Sequence, residues 1–82
     1  MAFTKGQVKA AKDALGDIRA HRKLAGANQQ TFWTSYGVTQ SGGSRYETGR
    51  GMDKPLKALI ALRASGKIDA EDLAEALKIA EG

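Results

Sequence analysis

Residues 29–48 read QQTFWTSYGVTQSGGSRYET, and the fold of the 82-residue chain turns on how this stretch is parsed. Asn28 is a good N-cap, so the spacing predicts a helix from Gln29 to about Tyr36. Gly37 then allows a sharp turn through a positive φ, which side chains disfavour. Thr39 caps a second helix from Gln40 to about Thr48. Gly42 and Gly43 lie inside that helix, where each is about 1 kcal/mol less favourable than Ala. A short helix that carries its two weakest residues side by side needs a reason for them.

Outward from this pair the chain stays helical. Val8, Ala11, Leu15, Ile18 and Arg22 step by threes and fours, predicting one helix from about Lys5 to Leu24. Thr4 with Gln7 forms a capping box at its start, and Gly26 ends it. Lys5, Lys9, Lys12, Arg19 and Lys23 make a basic stripe beside the apolar one, either solvated or set against phosphates. Residues 47–54, ETGRGMDK, read as a loop. Asp53 caps the next helix, with Pro55 in its first turn and Leu56, Leu59, Ile60 and Leu62 on its buried side. Gly66 closes it. Asp69 begins a last helix, about 69–80, with Leu73, Leu77 and Ala80 on one stripe and Glu71, Asp72 and Glu75 beside it. No segment alternates cleanly as a strand would. The expectation is an all-α chain of five helices, residues 1–82 forming one domain without internal repeats.

Composition excludes several classes of function. There is no cysteine and only one histidine, so disulfides, thiolate metal sites and a histidine-based zinc site are not expected. No Ser–His–acid order, carboxylate pair in an apolar setting or phosphate-binding glycine loop is evident; an enzyme is not expected, and no cofactor, metal or small-molecule ligand is implied. No apolar run has signal-peptide or membrane-spanning length, which points to a soluble, cytoplasmic protein without a membrane partner. The net charge of +4 is divided unevenly. Residues 1–67 hold 12 Lys/Arg against 4 Asp/Glu, a balance of +8, and residues 68–82 hold 1 against 5, a balance of −4. A basic body suits a polyanion such as double-stranded DNA, although many small basic proteins bind none.

Residues 29–48 resemble the helix-turn-helix of lambda-repressor and Cro-like transcriptional regulators. The likeness extends over roughly residues 18–62 and rests on the joint spacing of Gln29, Phe32, Gly37, Val38, Ser44, Arg45, Tyr46, Glu47 and Gly49. It implies a lambda-repressor-like domain whose second motif helix enters the major groove, N-terminal residues nearest the base edges. On that basis Gln40, Ser41, Ser44 and Arg45 are the candidates for base contact, since Gln pairs well with adenine and Arg with guanine. Gln29, Thr39, Gly42, Arg50, Lys54 and Arg22 are candidates for the DNA backbone. Tyr46 reads as a packing residue and Glu47 as the partner of a nearby cation.

Three departures from the family pattern stand out. The loop from Gly49 to Pro55 is about two residues longer than usual. His21 stands where an apolar residue is usual, and reads as a half-buried packing residue. Trp33 replaces a small residue while Gly43 replaces Val or Ile, and the two positions face each other across the helix pair. Gly43 therefore reads as room for the indole, because overpacking a core costs about 1–3 kcal/mol unless volume is returned nearby. For Gly42 two readings stay open: close approach of its backbone to DNA, or tolerance of a loosely formed helix.

The function implied is a sequence-specific transcriptional regulator, a repressor on a palindromic operator. Because one small domain buries little surface, a homodimer is expected, with the last helix as candidate contact. Small regulators of phages, mobile elements and toxin–antitoxin operons share this layout. A protein-interaction adaptor on the same helices, favoured by the weakened third helix and the acidic last one, is the alternative.

Overall fold

The computed structural model describes residues 2–82, and among them all regular structure is helical. Six helices follow in order: α1 (Lys5–Gly16), α2 (Ile18–Leu24), α3 (Gln29–Thr34), α4 (Gln40–Glu47), α5 (Lys54–Ala64) and α6 (Ala70–Glu81). The expected all-α class holds, with six helices rather than five.

The extra helix comes from a break at Asp17. The apolar period runs through this point without interruption, so periodicity alone predicts a single rod. Asp17 instead leaves helical geometry, with φ −148° and ψ 83°, and its carboxylate accepts from the Ala20 backbone N–H at 3.1 Å. An aspartate after a glycine offers the backbone a cap in place of the next helical bond. Beyond the break Ile18 is buried, while on α1 the buried residues are Ala11 and Ala14 and Val8 lies exposed.

Other helix starts follow their residues. Thr4 and Gln7 form the reciprocal capping box of α1, and Asn28, Thr39 and Asp53 cap α3, α4 and α5 through their side chains. Asp69 and Asp72 form a second capping box, at α6. Helix α3 ends at Thr34, two residues before Tyr36, where Ser35 and Tyr36 begin the tight turn into Gly37.

Ile18, Phe32, Trp33, Tyr36, Ile60 and Leu73 form the buried centre, with Leu15, Val38, Tyr46, Leu56 and Leu59 packed around them. Helix α1 packs along α5, and α3 packs on α4. Trp33 and Ile60 are fully buried. Helix α6 contributes Leu73 to the centre, and Leu77 rests against the Gly37 turn. This arrangement puts the helix pair α3–α4 at one side of the molecule, with the outer face of α4 uncovered.

Candidate nucleic-acid interface

Helix α4 is held from behind by three contacts. First, Gly43 is buried against the indole of Trp33. A Cβ built on Gly43 would lie 2.6 Å from Trp33 Cδ2 and nearer still to Cγ and Cδ1, so no side chain fits. The exchange of volume expected between these positions is thus present as direct contact. Trp33 is boxed by other rings as well, edge-on to Phe32 at 5.1 Å and tilted against Tyr46 at 5.5 Å between centroids. Gly43 removes the side chain where the indole needs space, and the lost helix propensity is offset by burial of that ring.

Second, the last residue of α4 is tied inward. Glu47 accepts from Trp33 Nε1 at 2.6 Å and from Arg22 Nε and Nη2 at 2.9 and 3.0 Å. Arg22 also donates through Nη1 to the Ala27 carbonyl at 3.1 Å. The side chains of Arg22 and Glu47 are only 11% and 2% exposed, so this is an interior ion pair with its hydrogen bonds met. Burial pushes the Glu47 carboxyl up. Hydrogen bonds from Arg22 and Trp33, the Arg22 charge and a hydrogen bond from Gln29 outweigh that and hold it below the ordinary glutamate value. Glu47 thereby joins α2, α3 and α4.

Third, the turn into α4 is fixed at Gly37, whose φ of +75° is one that glycine adopts freely. Val38 N–H donates to the Trp33 carbonyl at 3.0 Å, and Thr39 Oγ1 accepts from the Gly42 N–H at 3.1 Å.

Against this fixed back, the front of α4 is open. Gln40, Ser41, Ser44 and Arg45 line one shallow surface depression together with Gln29 of α3. Gln40, Ser41 and Arg45 are exposed and Ser44 is half-buried. Gln40 Nε2 lies 3.5 Å from Gln29 Oε1, bridging the first residues of the two helices. The structure therefore brings together all four residues expected to face bases, with Gln29 beside them.

The residues expected at the DNA backbone are placed less uniformly. Thr39 is exposed at the cap, and Lys54 is exposed as the first residue of α5. The Arg50 guanidinium lies over the Tyr46 ring, 5.9 Å from its centroid, in the loop after α4. Arg22 stands apart: its guanidinium is turned inward and spends three of its five N–H donors on Glu47 and the Ala27 carbonyl. A Cβ on Gly42 would lie 3.2 Å from Thr39 Oγ1 and 3.3 Å from Val38 Cγ1, so its bare side faces the cap. Its N–H donates to Thr39 Oγ1.

Glu47 meets a cation as its sequence context suggests, but the identity of that cation and the indole bond do not follow from spacing. Arg22 and Glu47 are 25 residues apart, and both sit where exposed positions are equally natural. Among the described residues no group of His, Asp or Glu side chains could hold a metal ion, and no helix is long and apolar enough to cross a membrane.

A family model described as the RsaL-like HTH domain matches residues 19–63, more than half of the chain. The match begins within α2, takes in α3 and α4 and ends in the last turn of α5, leaving α1 and α6 outside. No curated protein and no solved structure matches the chain.

Proposed function

The chain belongs to the RsaL-like helix-turn-helix domain family, and we propose from that premise that it is a sequence-specific DNA-binding repressor. In this reading a homodimer binds a palindromic operator, each copy laying α4 in the major groove. The lambda-repressor and Cro-like regulators, which the motif residues resemble, supply the docking geometry. One observation carries the reading: Gln40, Ser41, Ser44 and Arg45 share a single open surface on a helix whose opposite side is fixed by Trp33 and Glu47. Base readout needs side chains held in place before the duplex arrives, and such a helix meets that need.

Gln40 and Arg45 supply the fork-like donors and acceptors that distinguish adenine and guanine, and Ser41 and Ser44 fill the shorter distances between them. Thr39, Gln29, Lys54 and Arg50 flank the surface and suit phosphates on either side. Two copies bound in register would set their α4 helices about 34 Å apart, one turn of DNA.

Selection from a random duplex pool at low salt tests the reading. The expected product is a palindrome with half-sites one helical turn apart and an affinity that falls steeply with salt. Arg45→Ala should lower affinity by roughly 5- to 150-fold, corresponding to about 1–3 kcal/mol, and relax preference at one position of each half-site. A chain that enriches no sequence at low salt would instead be a protein-interaction adaptor on the same helices.

A further inference from the structure

Away from α4, a second concavity lies between α6 and the body of the molecule. It has a volume of about 270 Å³ and is open on one side. Its walls are apolar and partly aromatic: Phe32 and Tyr36 from the α3 side, Leu73, Ala74 and Leu77 from α6. Its polar groups, His21, Arg63, Lys78 and Glu81 among them, come from α2, α5 and α6.

Charge at this cavity is unbalanced. Arg63 is half-buried and has no ion-pair partner among the described residues. Its charge opposes protonation of His21, whose pKa is lowered first by burial and then by Arg63. Asp69 lies within the field of Arg63, but its carboxylate is committed to the backbone N–H of Asp72 at the start of α6. Lys78 adds a second cation and Glu81 one anion, both on exposed positions. Arg63 lines this apolar hollow with its forked donors free of any protein acceptor among the described residues, and that fork matches a carboxylate.

We propose that this cavity binds a small hydrophobic carboxylate, its apolar body between α6 and the Phe32–Tyr36 wall and its anionic end on Arg63. The volume sits near the lower end of ordinary ligand pockets, which sets the size of the body at one ring or a short alkyl chain. The site is separate from the outer surface of α4, so it makes no use of the DNA-reading residues. Its floor nonetheless adjoins the motif: Phe32 packs edge-on against Trp33, and Leu77 rests on the Gly37 turn. A ligand that shifts α6 presses on the same turn that sets the entry to α4.

Amide-resolved NMR titration of the full chain with 3-phenylpropionate and octanoate, each against its neutral alcohol, tests the site without any DNA. Saturable shifts are expected at His21, Phe32, Leu73 and Leu77, with the carboxylate at least tenfold tighter than its alcohol. Affinity along hexanoate, heptanoate and octanoate should rise about fourfold per methylene while the chain still fits. Arg63→Gln should erase the preference for the carboxylate, and Ala74→Phe, a change at an exposed helix position, should fill the cavity and abolish binding of both. Each variant's helical content and melting temperature establish that it is folded before titration.

Absence of saturable shifts at millimolar ligand, equal binding of acid and alcohol, or an unchanged preference in Arg63→Gln would each overturn the proposal. So would sedimentation as a dimer whose interface covers Ala74 and Leu77, because a second copy would then occupy the hollow. Carboxylate binding by a chain that ignores DNA would break only the repressor reading, and DNA binding by a chain that ignores carboxylates would break only this one.

Discussion

Helices α4 and α6 are opposites in how they are made. Helix α4 has eight residues, two of them glycine, and no acidic residue in its first turn; its own sequence barely favours a helix. Helix α6 has twelve residues, mostly Ala, Leu, Glu and Lys, with a capping box and Glu71 and Asp72 at its N-terminal turn, where the helix dipole favours acids. Fixation by the rest of the chain runs the other way. Helix α4 is clasped by Trp33, Arg22 and the Gly37 turn, while α6 is fastened mainly through Leu73 and Leu77 and leaves Ile79 81% exposed. Local helix strength and tertiary anchoring are therefore separate resources. The helix with the larger demand for accurate placement relies on anchoring.

That contrast can be broken most forcefully at Glu47. Glu47→Ala removes one side of an interior ion pair and strands both Arg22 and the indole N–H. A loss of about 3–5 kcal/mol is expected, a large share of a small domain's stability. Chemical denaturation measures it directly, and a loss below about 1 kcal/mol would mean that α4 is not anchored there.

Next in size is the seat of the indole. Gly43→Val should cost at least the 1–3 kcal/mol typical of overpacking, since the new side chain collides with the Trp33 ring. Combined with Trp33→Ala, the same change should cost much less than the sum of the two single effects, with a coupling of about 0.5–3 kcal/mol in the double-mutant cycle. Additive losses would show that the two residues do not share one space.

Acid provides a milder probe. Glu47 has a depressed pKa in the folded state, so the native chain binds fewer protons than the unfolded one as the pH falls below the ordinary value of 4.5. Its stabilisation is full above that value and is lost as the pH drops through the lower folded one. His21, also depressed, gives a contribution of the same sign that begins to fade below 6.5. The melting temperature should therefore decline in two stages on acidification, and His21→Gln should remove the upper stage alone.

The smallest effect belongs to α6. Ile79→Lys changes an exposed side chain on a helix that is intrinsically sound, and stability should move by no more than about 0.5 kcal/mol. A larger loss measured at several protein concentrations, and growing on dilution, would reveal Ile79 as part of a contact between copies.

Much of this design was legible before any coordinates. Asn28, Thr39 and Asp53 are short polar side chains placed just before apolar periods, and local hydrogen bonding is decided within a few residues. The Trp33–Gly43 contact was legible for a different reason, because an excess of volume in one place and a deficit in another must cancel if both are interior. The break at Asp17 was hidden, since both arms of the bent rod keep the same apolar period. The Arg22–Glu47 pair is not legible, because a lone arginine looks alike whether it faces water or an interior carboxylate. Gly42 carries two readings from sequence, and the nearness of Thr39 and Val38 to its bare side is not legible there.

The bare backbone of Gly43 has one more consequence. Most amphipathic helices spend several side chains on their own attachment, which restricts what their outer residues may become. Here attachment is supplied largely by a neighbour's indole and by the terminal Glu47, so positions 40, 41, 44 and 45 are relieved of structural duty. Such a helix is an interchangeable cassette: its lettering can be rewritten, by selection or at the bench, while the frame that holds it stays the same.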